Sequence, residues 1–189
     1  MLLSIGHFLK VSLCETAFKQ VFEKSGINMP RLEKDNVLVD VDPLTIFGCF
    51  NKSSMKESNR IKIITAIAEL FGVNNHVPSS FEGVPVLNNQ NATFYYNLPN
   101  RDDADIPDLW GLFESAIAFK KNPTSQDKEK VSHYFDQTIH KKGNGNSKIT
   151  MGLYWIAPDT FLNLDQRNTW YIYNSGRLPS DFVKTLPEV

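Results

Sequence analysis

Apolar residues three and four positions apart recur along much of this chain, the spacing that gives a helix one face to bury and that no pleated strand can use. The clearest run covers residues 105–120, where Ile106, Leu109, Trp110, Phe113 and Ile117 share a face, with Asp105 and Asp108 at the positive end and Pro107 in the first turn. Ile63, Ile64, Ile67, Leu70 and Phe71 predict a second helix, stopped by Gly72, with Ser54 and Glu57 spaced as a capping box at its start. Beyond the Asn122-Pro123 break, Val131, Tyr134, Phe135, Thr138 and Ile139 predict a third from about Ser125. Near the start of the chain, Ile5, Phe8, Leu9, Cys14, Phe18, Val21 and Phe22 predict another, ending at Gly26.

Strand signals are short. Residues 37–42 partly alternate apolar and acidic and stop at Pro43; residues 84–87 and 93–96 read as extended pieces of an irregular segment; residues 169–173 have the aromatic content of a strand. Residues 151–157 form an apolar run too short for periodicity to assign. The expected fold is therefore α+β, predominantly helical, with a few short strands. A chain of 189 residues that is 41% apolar fills one core, so a single domain over 1–189 is expected.

A net charge of −1 with 22% charged residues excludes a disordered polyelectrolyte, and it means that any polyanion must be met by a local basic patch. Cys14 and Cys49 stand alone, as small buried residues of a reducing compartment do; a disulfide between them stays open. The first residues lack the basic start of a signal peptide and are interrupted by His7 and Lys10, and no later run reaches the length of a membrane span. A soluble, cytoplasmic protein with no membrane partner is expected.

Complete catalytic motifs are missing: there is no GxSxG, no GxGxxG after a strand, and no HxxxH or Cys/His cluster among His7, His76, His133 and His140, so neither a cofactor nor a metal is expected. Three weaker constellations remain. Gly143-Asn144-Gly145-Asn146-Ser147-Lys148 lets backbone amides approach a phosphate, with Lys141, Lys142 and Lys148 adding charge; a plain connection between elements is the simpler reading. Lys148 and Asp165 loosely resemble the amine nucleophile and assisting acid of helix-hairpin-helix DNA glycosylases. Lys52, Lys56, Arg60 and Lys62, with Arg101, Lys120 and Lys121, offer phosphate contacts, while Asn88, Asn89, Asn91, Phe94, Tyr95 and Tyr96 offer amides and rings to bases; solvated helix faces and core packing compete with that reading.

The segments VDVDPLTIFGCFNK, SNRIKIITAIAELFG, VPSSFEGVPVLNN, DIPDLWGLFESA and TMGLYWIAPDTFLNLDQRN, in that order, resemble the region ahead of the AAA+ motor in McrB-like restriction proteins. The resemblance covers residues 27–187; residues 1–26, an atypical N-terminal helix, lie outside it. In that family the motor hydrolyses nucleotide, a separate subunit cuts DNA, and the N-terminal region recognises the target. The resemblance implies a DNA-recognition module for phage defence, with DNA, an AAA+ motor and a nuclease subunit as partners. The chain stops at Val189, before a Walker A loop would occur, as expected of a truncated or detached recognition module. The expected DNA-binding residues are Lys52, Lys56, Arg60, Asn88, Asn89, Lys141, Lys142 and Lys148. The alternatives are a base-excision glycosylase using Lys148 and Asp165, or a protein-interaction domain that assembles with the motor.

Overall fold

Helix α2, Pro43–Phe50, lies at the centre, and all eight of its residues are buried. Its start is written locally. Asp42 accepts the Thr45 amide at 3.0 Å, and Pro43 at the first helical position has no amide to leave unpaired. The surrounding elements are α1 Glu15–Ser25, α3 Glu57–Leu70, α4 Asp105–Lys121, α5 Ser125–Ile139, α6 Asn146–Ile156, α7 Gln166–Asn174 and α8 Ser180–Val183, with a 3₁₀ turn at Asn89–Asn91. They come from a computed structural model that describes residues 15–33, 38, 40–96 and 100–187.

Among the described residues there is no strand, only an isolated parallel bridge between Lys52 and Leu87. The fold is all-α, and the expected α+β class is corrected. Residues 169–173 lie inside α7, because Asp165 accepts the Asn168 amide at 2.9 Å and starts a helix that overrides the strand preference of the aromatic run. Residues 93–96 form a bend rather than a strand, and the Phe94 amide donates to Thr45 Oγ1 at 2.8 Å. Val41 and Asp42 are the lead-in to α2, while Val37 and Val39 lie outside the described residues, as do Ile5, Phe8, Leu9 and Cys14. The capping box at Ser54 does not form either. Helix α3 begins at Glu57, whose carboxylate instead accepts the Phe81 amide at 2.9 Å.

Packing is built on α2. Phe47 meets Phe113 of α4 with ring centroids 6.3 Å apart, and Leu109, Leu112 and Phe113 are almost wholly buried, each contributing about 2 kcal/mol of apolar transfer. Helix α1 lies on α3 through Phe18, Val21 and Phe22, so it shares this core. Helices α4 and α5 form a hairpin, and Gly111 admits the Tyr134 ring where a Cβ would stand 2.3 Å from it. Gly48 lets the 88–96 segment cross α2, since a Cβ there would meet the Ala92 carbonyl oxygen at 2.1 Å. Cys49 is a buried free thiol whose pKa burial pushes up to about 12. No helix among the described residues is long and apolar enough to cross a membrane.

Helices α2 and α6 run side by side in one direction. Asp42, capping α2, is electrostatically coupled to Lys148 in the first turn of α6, Gly152 faces Leu44, and Phe50 and Asn51 share a cavity with residues 154–157. Two concavities therefore sit at opposite ends of this pair, roughly 15 Å apart by the rise of an eleven-residue helix.

Candidate functional site

The larger concavity, about 750 Å³, lies at the N-terminal ends of α2 and α6. Its walls come from three distant stretches: Arg31, Leu32 and Glu33; Gln90, Asn91, Thr93, Tyr95 and Tyr96; and Lys142, Gly143 and Lys148. Short polar contacts hold these stretches together. Lys148 Nζ donates to the carbonyls of Thr93 at 2.5 Å and Gly143 at 3.0 Å and sits 4.9 Å from the Phe94 ring centre. Asn144 Nδ2 donates to the Phe94 carbonyl at 2.9 Å. Gly143 has φ +84°, and a Cβ there would lie 2.5 Å from the Tyr96 ring, so glycine is required both for the turn and for the ring. On the other wall Arg101 meets Glu33 at 2.7 Å, both side chains less than a tenth exposed, and its guanidinium lies 4.8 Å from the Tyr95 ring centre.

The rim is basic and hydrogen-bonding. Arg31, Lys142, Gln90, Asn91 and Tyr96 are exposed, and the Lys142 ammonium stands 4.8 Å from the centre of the Tyr96 ring. The first turn of α6, which carries Lys148, has Gly145 at its N-cap and no side-chain cap, so its first amides have no partner within the helix.

The expected residues divide into two groups. Lys142 and Lys148 line the cleft, and the 88–91 turn forms its edge through Gln90 and Asn91. Asn88 and Asn89 spend their side-chain carbonyls locally, on the Gln90 amide and the Ser54 amide, each at 3.1 Å. The second of these bonds ties the loop carrying Lys52 to the rim; Lys56 is exposed on that loop. Arg60 is elsewhere: it is 7% exposed, donates to the Lys52 carbonyl at 3.4 Å and lies 5.5 Å from the Phe81 ring centre. Lys141 bridges Asp105 and Asp108 at the start of α4; burial works against its charge, but the two carboxylates more than offset this and raise its pKa. Lys120 pairs with Asp159, and Arg101 with Glu33. Phe94 and Tyr95 are buried, leaving Tyr96 as the exposed ring of its group. Asp165 is the cap of α7, bonded to Asn168 and Asn163, and no hydrogen bond joins it to Lys148. Arg31, Glu33 and Asp42 were not legible as site residues, because their part in the cleft comes from tertiary packing alone.

Burial lowers the Lys148 pKa to about 8, opposed by the charge of Asp42, and raises that of Asp42 to about 6, opposed by its bonds to Thr45. Linkage then fixes two signs. The raised Asp42 pKa contributes stability that is fully present below pH 3.8 and is lost as pH rises through about 6; the depressed Lys148 pKa penalises the fold below about pH 8 and releases it toward 10.5. Each effect is at most about 3 kcal/mol. Urea unfolding should therefore show stability falling between pH 4 and 6.5, and Asp42→Asn, which keeps an acceptor for the Thr45 amide, should flatten that limb. A wild-type profile that rises over this interval contradicts the assignment.

Fold and site together define an all-helical chain with a basic, amide-rimmed cleft. Among the described residues no group of three or more His, Cys, Asp or Glu is placed to hold a metal ion. The chain belongs to the family described as Domain of unknown function (DUF8425), whose model matches residues 11–184 and so takes in all of α1. No curated protein and no solved structure matches it.

Proposed function

We propose that this chain is the DNA-recognition module of a McrB-like restriction system, acting in the cytoplasm in phage defence. It engages DNA itself and leaves nucleotide hydrolysis to an AAA+ motor and strand scission to a nuclease subunit. The observation that carries the reading is the convergence of Arg31, Lys142, the uncapped first turn of α6, the amides of Gln90 and Asn91 and the exposed Tyr96 ring on one cleft. Cations and helix-start amides position phosphates without reading sequence; amides and a ring at the same rim can address a base. The volume, about 750 Å³, is of small-molecule size and admits one unstacked nucleotide rather than a duplex.

Fluorescence anisotropy with methylated and unmethylated duplexes over a salt series tests this. Affinity should fall log-linearly with salt, with a slope of about two to four released counterions for a patch this small, and should differ between the two duplexes. Affinity no better than that of an acidic control protein at low salt would remove the proposal. The glycosylase alternative is weaker, because the Lys148 amine is engaged by two carbonyls and Asp165 serves as a helix cap. One observation favours the other alternative, a protein-interaction domain: Leu162, Trp170, Tyr171 and Phe182 around α7 and α8 are exposed. Copurification with a motor subunit in the absence of any DNA affinity would select it.

A further inference from the structure

The basic cleft at the N-terminal ends of α2 and α6, about 750 Å³, is within the size range of small-molecule sites. We infer that it binds a free nucleoside monophosphate, an inference that rests on the reading of this cleft as the DNA site but needs no strand on either side of the nucleotide. Charge selects the phosphate. Arg31 and Lys142 are exposed at the rim, and Lys148 adds a third cation in the wall. Among the described lining residues the one carboxylate, Glu33, is met at 2.7 Å by Arg101. The cleft therefore carries a net positive charge that a neutral nucleoside leaves unanswered. A phosphate monoester, with a charge of about −1.5 to −2 at neutral pH, balances the two rim cations, so a monophosphate is assigned rather than a longer phosphate chain.

The demand for a base comes from what stands beside that charge. The Lys142 ammonium lies 4.8 Å from the centre of the Tyr96 ring, so a phosphate held by this lysine brings its nucleoside within reach of the ring. Tyr96 is 38% exposed, and every base has a π face to lay against an aromatic side chain. Gln90 and Asn91 are exposed on the same rim, and a side-chain amide can meet both the N6 donor and the N7 acceptor of adenine. Phosphate, ring and amide contacts thus fall within one cavity, the extent of a single nucleotide.

The cleft is shaped by contacts of its own. Lys148 ties the Thr93 and Gly143 carbonyls together, Asn144 holds the Phe94 carbonyl, and Gly143 leaves room for the Tyr96 ring where a Cβ would stand 2.5 Å from it. Little ordering of the protein then opposes a ligand this small.

Calorimetric titration of the full chain with dAMP, with deoxyadenosine and with inorganic phosphate tests the assignment. The nucleotide should bind saturably at one site, and each fragment at least roughly tenfold more weakly, because each uses one half of the cleft. Tyr96→Ala should weaken dAMP about tenfold while leaving phosphate binding unchanged. Lys142→Gln, at an exposed position that the fold does not depend on, should weaken dAMP and phosphate alike. No saturable binding of dAMP, phosphate binding as tight as that of dAMP, or dAMP binding that survives both substitutions would each overturn the inference. The two readings fail separately: duplex affinity without dAMP affinity strikes this inference and leaves the DNA reading standing, and dAMP affinity without duplex affinity does the reverse.

Discussion

Reversing the charge at the rim of the basic cleft, with Lys142→Glu and Arg31→Glu together, should weaken duplex binding by about a hundredfold at low salt, since each reversal replaces an attraction of about 1 kcal/mol or more with a repulsion. The same double change should reduce the salt slope by about two, one for each phosphate that is no longer neutralised. Both residues are exposed, so the thermal midpoint should move little. The control is an equal change of charge on another face: Lys128→Glu with Lys130→Glu on exposed positions of α5 should cost far less. Equal losses from the two double variants would show that net charge, and not the cleft, governs binding.

The second large effect concerns stability. Arg101→Leu removes the guanidinium that stands 2.7 Å from the Glu33 carboxylate, which is 5% exposed in the wall of the cleft. Removing one partner of a buried pair costs up to about 3–5 kcal/mol, whereas replacing both by apolar groups is often nearly neutral. Urea unfolding of Arg101→Leu should show a loss in that range, and the double variant Arg101→Leu/Glu33→Leu should recover most of it. A single variant within about 1 kcal/mol of wild type would mean that the Arg101–Glu33 pair does not hold this wall together.

How far this architecture could be read from residue order depended on whether each element kept a polar face. Helices α4 and α5 did, and their spacing predicted 105–120 and a start near Ser125 where the structure has Asp105–Lys121 and Ser125–Ile139. Helix α2 was invisible to periodicity because every one of its residues is buried; only Asp42-Pro43, an N-cap followed by a first-turn proline, marks it. The run Thr169 to Tyr173 shows the opposite failure. Its strand-forming residues outweighed, in one dimension, an aspartate cap that decides the matter in three. In the cleft, Lys142 and Lys148 were recognisable from a glycine-flanked basic loop. Arg60 and Lys141 looked the same by composition, yet one is packed against Phe81 and the other is clamped by Asp105 and Asp108. Charge patterns do not distinguish a cation offered to solvent from one already neutralised by an element far away in the chain.

On the proposed reading, DNA meets this protein where the 88–96 segment and the start of α6 come together. Amide hydrogen exchange of the full chain, with and without a saturating duplex, locates the bound DNA without altering a residue. Slowed exchange should concentrate in residues 89–96 and 143–149, with α5 and α7 unchanged. Protection confined to α5, α7 or the Lys56 loop, with the cleft segments exchanging as in the free protein, would put the DNA on another face and end the proposal.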